Sequence, residues 1–427
     1  MAAAPPRRIL MVTYWYPPVP GAGAQRAAGF ARHLPALGWS PTVLAADAAA
    51  RLWPGRARQQ PPADDGVTAW CVPDLVAPAN LFSDFAGPPP RRPRWLSQRL
   101  FPDRFRFWAR RAMRCAARDL ADQPFDIVWT TFPPASAVLV GLDAAQRLDR
   151  PLVLDLRDPW IGPGGYSPDR PRRLHAHQAL ERRAVRAAAA VTAVSEAMWH
   201  DVAERCGVPR ERGIVIPNGF DPARCPPLDL SPLPADRPTL AHVGSVTVRN
   251  CPNRFLTSLA AIPEPRRACR LRFVGNLSPG YVARLGLAQT VETTGMLSPD
   301  AAWRATLAAD ALLLLVGEYV GRWGHNTKLF EYLRAARPIL CVEESPGSND
   351  AALLRQIAPQ RSVFARFDDP ASIERGLADV ASLARAAPRR TLDDSPALRA
   401  YDRAALAARL TDRLDRLAPP RGPAAAG

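Results

Sequence analysis

Short runs of apolar and β-branched residues alternate along this chain with longer stretches whose apolar positions recur every three to four residues. The short runs predict strands at Ile9–Thr13, Thr42–Ala45, Ile127–Thr130, Leu152–Leu156, Ala190–Val194 and Ile214–Ile216. The helical pattern lies between several of them, at Gln25–Leu37, Ala135–Leu148 and Glu196–Cys206. Strand and helix in alternation indicate a parallel sheet covered on both faces. Prolines then crowd together at Pro217, Pro222, Pro226, Pro227, Pro232, Pro234 and Pro238, which reads as a linker. A second series follows, with strands at Leu240–Val243, Leu271–Val274, Val291–Thr293, Ala311–Leu315, Ile339–Val342 and Val363–Ala365. A weaker helical pattern at Ala397–Leu417 closes it. The expected architecture is α/β: two Rossmann-like, doubly wound domains facing each other across a cleft. They span residues 1–225 and 226–395, with a C-terminal helix at 396–418 packing back toward the first domain and a disordered tail at 419–427. Ligands in such sheets bind at the carboxyl ends of strands, and an interdomain cleft is a common place for a site.

A length of 427 residues suits about two or three domains, and 47% hydrophobic with 22% charged residues suits a folded globular chain. No apolar run approaches the roughly 18 residues of a membrane span. Arg7 and Arg8 before Ile9–Tyr16 imitate a signal peptide, but the run ends at Pro17-Pro18 without a small-residue cleavage site. A cytoplasmic location is expected, with a peripheral position on the inner face of the cell membrane as an extension of it. The seven cysteines are scattered and form no C-x-x-C pair, and His175 and His177 lie two apart, so neither zinc nor a disulfide framework is expected. The net charge of +16 calls for an anionic partner: nucleic acid, a membrane surface or a phosphorylated substrate. Lys328 is the only lysine, every other basic residue of the 56 being arginine. Codon bias explains the arginines. It leaves one position where a compact ammonium was kept.

Four segments carry candidate chemistry. The first βα turn, Pro17-Pro18-Val19-Pro20-Gly21-Ala22-Gly23-Ala24-Gln25-Arg26, places glycines before a helix N-terminus, where backbone amides can approach an anion. A dinucleotide fingerprint would need glycine at Arg26, so a nicotinamide cofactor is not expected. Leu152–Trp160 runs out of a buried strand into Asp155, Arg157, Asp158 and Pro159, charged residues where α/β proteins place their chemistry; the alternative is an Asp–Arg pair pinning a loop. His242-Val243-Gly244-Ser245 followed by Arg249 suits a diphosphate, with small residues admitting oxygens and a guanidinium neutralising them. In Gly324-His325-Asn326-Thr327-Lys328-Leu329-Phe330-Glu331, Asn326 or Thr327 can cap a helix on which Lys328 and Glu331 share a face. There a cation can meet phosphate while a carboxylate accepts from ribose hydroxyls; the alternative is an exposed Lys–Glu pair.

These segments, in this order, resemble the retaining glycosyltransferases of family 4, the group 1 type with the GT-B fold. TYWYPPVPGAGAQR, LVLDLRDPW, VTAVSEAM with VIPNGFD, HVGS with Arg249, and KLFEYLRAARPIL carry the resemblance over roughly residues 8–345. It implies a nucleotide-diphosphate sugar held mainly by the C-terminal half as co-substrate, no resident cofactor or metal, and an acceptor held mainly by the N-terminal half. Donor-binding residues would be Gly21, Gly23, Gly244, Ser245, Arg249, Asn326, Lys328 and Glu331. Lys328 and Arg249 match the diphosphate-binding cations, and Glu331 matches the second glutamate of the family's E-x7-E pair. The first would fall at Trp323, a departure that leaves Glu318 and His325 as nearby candidates for the sugar hydroxyls. Asp158, Arg249 and Lys328 are the expected catalytic set, with Asp158 orienting the acceptor hydroxyl, and Arg157, Asp158 and Trp160 the expected acceptor site. The implied reaction is glycosyl transfer to a glycan or lipid-linked acceptor with retention, in cell-surface polysaccharide synthesis.

Arg91–Arg111, RRPRWLSQRLFPDRFRFWARR, interleaves Trp95, Phe101, Phe105, Phe107 and Trp108 with arginines. It suits an anionic bilayer or lipid diphosphate, or single-stranded nucleic acid, or else a helix whose aromatics are core and whose arginines are solvated. No nucleic-acid partner is expected. Two other readings compete. A Rossmann epimerase would need a Tyr-x-x-x-Lys pair, and residue 324 is glycine. A catalytically inactive GT-B-fold binding or scaffold protein at the membrane surface fits the missing glutamate.

Overall fold

The computed structural model describes residues 5–19, 21–47, 58–60, 67–74, 100–162, 171–228, 237–247, 252–386 and 392–418. The chain divides into two compact units. One comprises residues 1–218 together with 403–427, the other residues 219–402.

The first unit is built on an eight-stranded sheet: β1 (Arg7–Val12), β2 (Trp39–Ala46), β3 (Arg58–Gln60), β4 (Thr68–Val72), β5 (Ile127–Phe132), β6 (Leu152–Leu156), β7 (Ala190–Ala193) and β8 (Gly213–Val215). Their order is β3-β4-β2-β1-β5-β6-β7-β8, parallel throughout except for the edge pair β3–β4. Side chains alternate between the faces. Ile9 and Met11 of β1, with Val43, Trp129 and Val153, pack on Phe30 of the helix Ala22–His33 and on Leu406, Leu410 and Leu414 of the closing helix Arg403–Leu417. The closing helix is also tied on by Asp415, whose carboxylate accepts from Arg7 at 2.7 Å and from Trp39 Nε1 at 3.1 Å.

The second unit has a six-stranded, all-parallel sheet: β9 (Thr239–Val243), β10 (Arg270–Val274), β11 (Val291–Gly295), β12 (Ala311–Val316), β13 (Ile339–Glu343) and β14 (Ser362–Arg366), ordered β11-β10-β9-β12-β13-β14. The run Ala311–Val316 is fully buried because both faces are covered. Leu313 and Leu315 join a core with Phe255, Leu271 and Leu377, whereas Leu312 and Leu314 join the opposite one with Leu329, Leu333 and Leu354.

Two doubly wound α/β units were legible in the alternation, and each of the twelve expected strands appears within three residues of its expected bounds. The two short strands β3 and β4 were not. Arg58–Gln60 is polar and joins at the sheet edge by backbone pairing, so it carries no hydrophobic signal. The expected helix Ala397–Leu417 is two helices, Pro396–Arg399 and Arg403–Leu417. Leu398 is core in the second unit, the Tyr401 carbonyl accepts from Phe220 N at 3.0 Å, and the chain then enters the first unit at Arg403.

In both sheets the chain winds in opposite directions from the first strand, so a switch point lies between β1 and β5 and another between β9 and β12. Loops at the carboxyl ends diverge there and leave room for a ligand.

Candidate functional site

At the switch point of the second unit, β9 ends in His242 and Val243 and turns at Gly244, whose φ of +115° is open to glycine at little cost. Gly244 N donates to Val274 O at 2.8 Å. A Cβ on neighbouring Gly275 would lie 2.4 Å from Gly244 O, so two glycines let the loops after β9 and β10 press together. Asn276 locks that contact, accepting from Val246 N at 2.7 Å and donating to Val246 O at 3.1 Å. Ser245 is exposed beyond the turn.

Lys328 reaches this turn from the second residue of the helix Thr327–Ala335. A Cβ on Gly244 would stand 3.3 Å from its Nζ. The helix is anchored by Tyr332, whose hydroxyl accepts from Val243 N at 2.7 Å. Its entry is anchored by Asp350, a fully buried carboxylate accepting from Asn326 N at 3.1 Å, Asn326 Nδ2 at 2.6 Å and His325 Nδ1 at 3.1 Å. Lys328 contacts His242 Nε2 at 2.8 Å and forms no ion pair with a described carboxylate. Burial pushes its ammonium down to about 8, opposed by Glu331 and Asp350. A cation at a helix N-terminus adds to the positive end of the helix dipole, so positive charge is concentrated there. Glu331, half-buried, follows three residues later on the same helix.

Asn326 occupies the N-cap position but makes no side-chain capping bond, because its amide is turned to Asp350. That bond holds the loop that delivers Lys328. Trp323, in place of the first glutamate, is buried under the Arg322 guanidinium. Glu318 is exposed and lines an open depression with Gly317, Gly321, Arg322, Ser345 and Ser348 at the ends of β12 and β13. Arg249 lies outside the described residues, as do Trp95 and the tail 419–427.

In the first unit, β6 delivers Asp155 inward. Arg26 donates to it at 2.7 Å and to Pro217 O at 2.9 Å, and Thr131 Oγ1 donates to it at 2.9 Å. Both members of the ion pair are shielded from solvent. Burial alone would raise the Asp155 carboxyl; Arg26 and the Thr192 hydroxyl outweigh it and hold the carboxyl below its ordinary range. Asp155 is therefore the structural member of the LVLDLRDPW cluster. Arg157, two residues on, donates to Thr131 Oγ1 at 3.0 Å and Pro133 O at 2.6 Å. Gly23 gives it room, since a Cβ there would lie 2.2 Å from Arg157 Nη1. Gly21 has φ +119° and starts the helix Ala22–His33. Asp158 is half-buried at the end of the cluster. Trp160 is fully buried, stacked on Phe132 at 4.4 Å with Nε1 3.4 Å from His177 Nδ1. The ring has no exposed surface and supports the loop from within.

The basic aromatic segment is described from residue 100 onward. Phe105 and Trp108 pack on Tyr14 in the core, at 4.2 and 5.1 Å, and Phe101 is exposed. Interleaving arose because the helix Arg106–Asp119 buries one side against the sheet, so Phe105 and Trp108 are not surface anchors. Among the described residues there is no cluster of His, Cys, Asp and Glu fit to hold a metal, and no helix long and apolar enough to cross a membrane.

Two Rossmann-like units, one with a cation-bearing helix N-terminus at its switch point, define a protein of the GT-B class. Solved structures share the fold across nearly the whole chain. Sucrose-phosphate synthase from Thermosynechococcus elongatus matches with a TM-score of 0.69 at 14% identity, covering 96% of this chain and 99% of that one. A trehalose-6-phosphate protein from E. coli bound with UDP-2-fluoro glucose matches at 0.62 and 14%, covering 97% and 100%. Anabaena HepE in complex with UDP-glucose matches at 0.56 and 16%, covering 96% and 100%. No curated protein matches the sequence. Residues 23–224 match the model of Glycosyltransferase Family 4.

Proposed function

We propose that this glycosyltransferase moves a sugar from a nucleotide-diphosphate donor to a glycan or lipid-linked acceptor, with retention of anomeric configuration and without a bound metal. The observation that carries the donor half is Lys328: the sole lysine of the chain, at a helix N-terminus beside Gly244, with no ion pair among the described residues. Breaking the anomeric C–O bond leaves a nucleoside diphosphate, and preorganised positive groups can supply several kcal/mol of stabilisation to the developing charge. Lys328, the amides after Gly244 and Arg249 would fill that role, with Glu331 placed on the same helix for ribose. Structural relatives solved with UDP-glucose and UDP-2-fluoro glucose support a nucleotide donor. On the acceptor side, Asp158 would orient the attacking hydroxyl, with Arg157 and Trp160 completing the acceptor site.

A net charge of +16 favours a phosphate-bearing acceptor in cell-surface polysaccharide synthesis on the cytoplasmic face. Peripheral contact with an anionic membrane through residues 91–111 would rest on arginines, and liposome binding that fails to weaken with added salt would refute it. Thermal-shift screening with UDP, ADP and GDP, then with their sugars, tests the donor reading. At least one diphosphate should raise the melting temperature of the wild type but not of Lys328→Ala, and turnover of the matching sugar should disappear in that variant. Turnover that survives Lys328→Ala and Glu331→Ala overturns the site.

A further inference from the structure

A half-buried lysine is ordinarily paired with a carboxylate, which balances its charge. The partner of Lys328 is an imidazole. His242 sits on β9, 1% exposed, with Nε2 2.8 Å from Lys328 Nζ and Nδ1 3.0 Å from the Leu313 carbonyl of β12. A carbonyl only accepts, so Nδ1 carries the hydrogen and Nε2 presents a lone pair. The ammonium has hydrogens only to give, and the two contacts together admit one arrangement: neutral His242 accepting from charged Lys328. Burial, and then Lys328 itself, hold His242 well below its ordinary value, in keeping with a neutral ring. The other charges that act on Lys328 are Glu331, from its own helix, and Asp350, which is committed to His325 and Asn326.

We infer that His242 is a positioning residue that holds the Lys328 ammonium beside Gly244 through an uncharged acceptor and so leaves its whole positive charge for a phosphate. This deepens the donor-site reading and rests on it. An Asp or Glu at position 242 would orient the ammonium too, but would cancel the charge it points. An apolar residue would neither orient it nor satisfy the Leu313 carbonyl. The rigid tautomer, set by a strand carbonyl, fixes the direction of the lone pair without a side-chain rotor.

The single lysine makes a direct test available. Labelling the full chain with 13Cε-lysine gives one protein signal, whose pH titration reports Lys328 without any ligand. In the wild type the midpoint should fall near 8. His242→Gln, which keeps a neutral acceptor, should leave it in place, and His242→Leu should move it by more than about half a pH unit. Calorimetry with UDP as probe should show His242→Leu binding at least about fivefold more weakly and His242→Gln within about twofold of wild type. In a Lys328→Met background, His242→Leu should have no further effect. A histidine that merely fills the core predicts the reverse order, with buried leucine tolerated better than glutamine, and that order overturns the proposal. So does an equal loss in the Lys328→Met background. If His242→Leu does not fold, 15N imidazole shifts of the wild type decide: an Nε2–H tautomer at pH 7 refutes the assignment. A lysine titration that responds as expected in a protein binding no nucleotide refutes the donor-site reading and leaves the His242–Lys328 contact standing.

Discussion

Removing the Asp155 carboxylate tests whether LVLDLRDPW begins with a structural or a reacting charge. In Asp155→Ala the Arg26 guanidinium keeps Pro217 O at 2.9 Å but loses its counter-charge at 2.7 Å, and the Thr131 hydroxyl loses an acceptor at 2.9 Å. Both charged side chains are 1% exposed or less, so water does not replace what is lost. Breaking a buried pair from one side costs about 3–5 kcal/mol, because the partner charge stays buried. For a unit of this size about 2–4 °C is lost per kcal/mol, so the first unit should melt roughly 6–20 °C lower. Thermal unfolding followed by tryptophan fluorescence measures it; the proposed nucleotide site of the second unit supplies an internal control through UDP-induced shifts of its own transition. Arg26→Met combined with Asp155→Leu should be more stable than Asp155→Ala alone, since the stranded charge is gone. The pH dependence has a definite sign. The folded carboxyl lies below its ordinary range, so its contribution is present above about pH 4 and is lost as pH falls through the folded value. A drop under about 3 °C in Asp155→Ala, or a double variant no better than the single, would show that the pair does not hold the unit together.

Trp160→Ala empties a fully buried stack and should cost about 3–5 kcal/mol in the first unit, seen as a lower melting temperature; a change confined to acceptor KM would instead make Trp160 a substrate contact. Gly244→Ala forces a side chain onto φ +115° and toward Lys328 Nζ, a strain of about 1–3 kcal/mol, so UDP affinity measured by calorimetry should fall about tenfold or more. UDP affinity of the wild type should decline as pH rises through about 8, where Lys328 loses its proton, while Lys328→Ala shows no such limb. Because the folded lysine value is depressed, the unfolded state binds more protons above about 8. Stability of the second unit should therefore rise with pH from there toward the ordinary lysine value of about 10.4, which denaturant titrations at successive pH values would check.

Much of the fold was legible without coordinates, because a strand in a doubly covered parallel sheet is an apolar run that reports its own burial. The run Ala311–Val316 is such a strand, and Lys328 stood out on count alone. What no local pattern contains is which distant side chain faces which. Asp155 and Asp158 lie three residues apart in one motif, yet strand register turns the first inward onto Arg26 and leaves the second half-buried at the end of the cluster. Arg26 itself was visible only as a missing glycine. Asp350, which secures the loop before Lys328, has no motif, since its partners lie 24 and 25 residues earlier. His242 could be seen as a polar residue in an apolar strand, but its role depends on Lys328 86 positions away and on the Leu313 carbonyl of an adjacent strand. Periodicity is set by backbone geometry over a few residues and can be read from the chain. The pairing of charges is set by sheet order and helix docking, long-range packing outcomes that only the folded molecule decides.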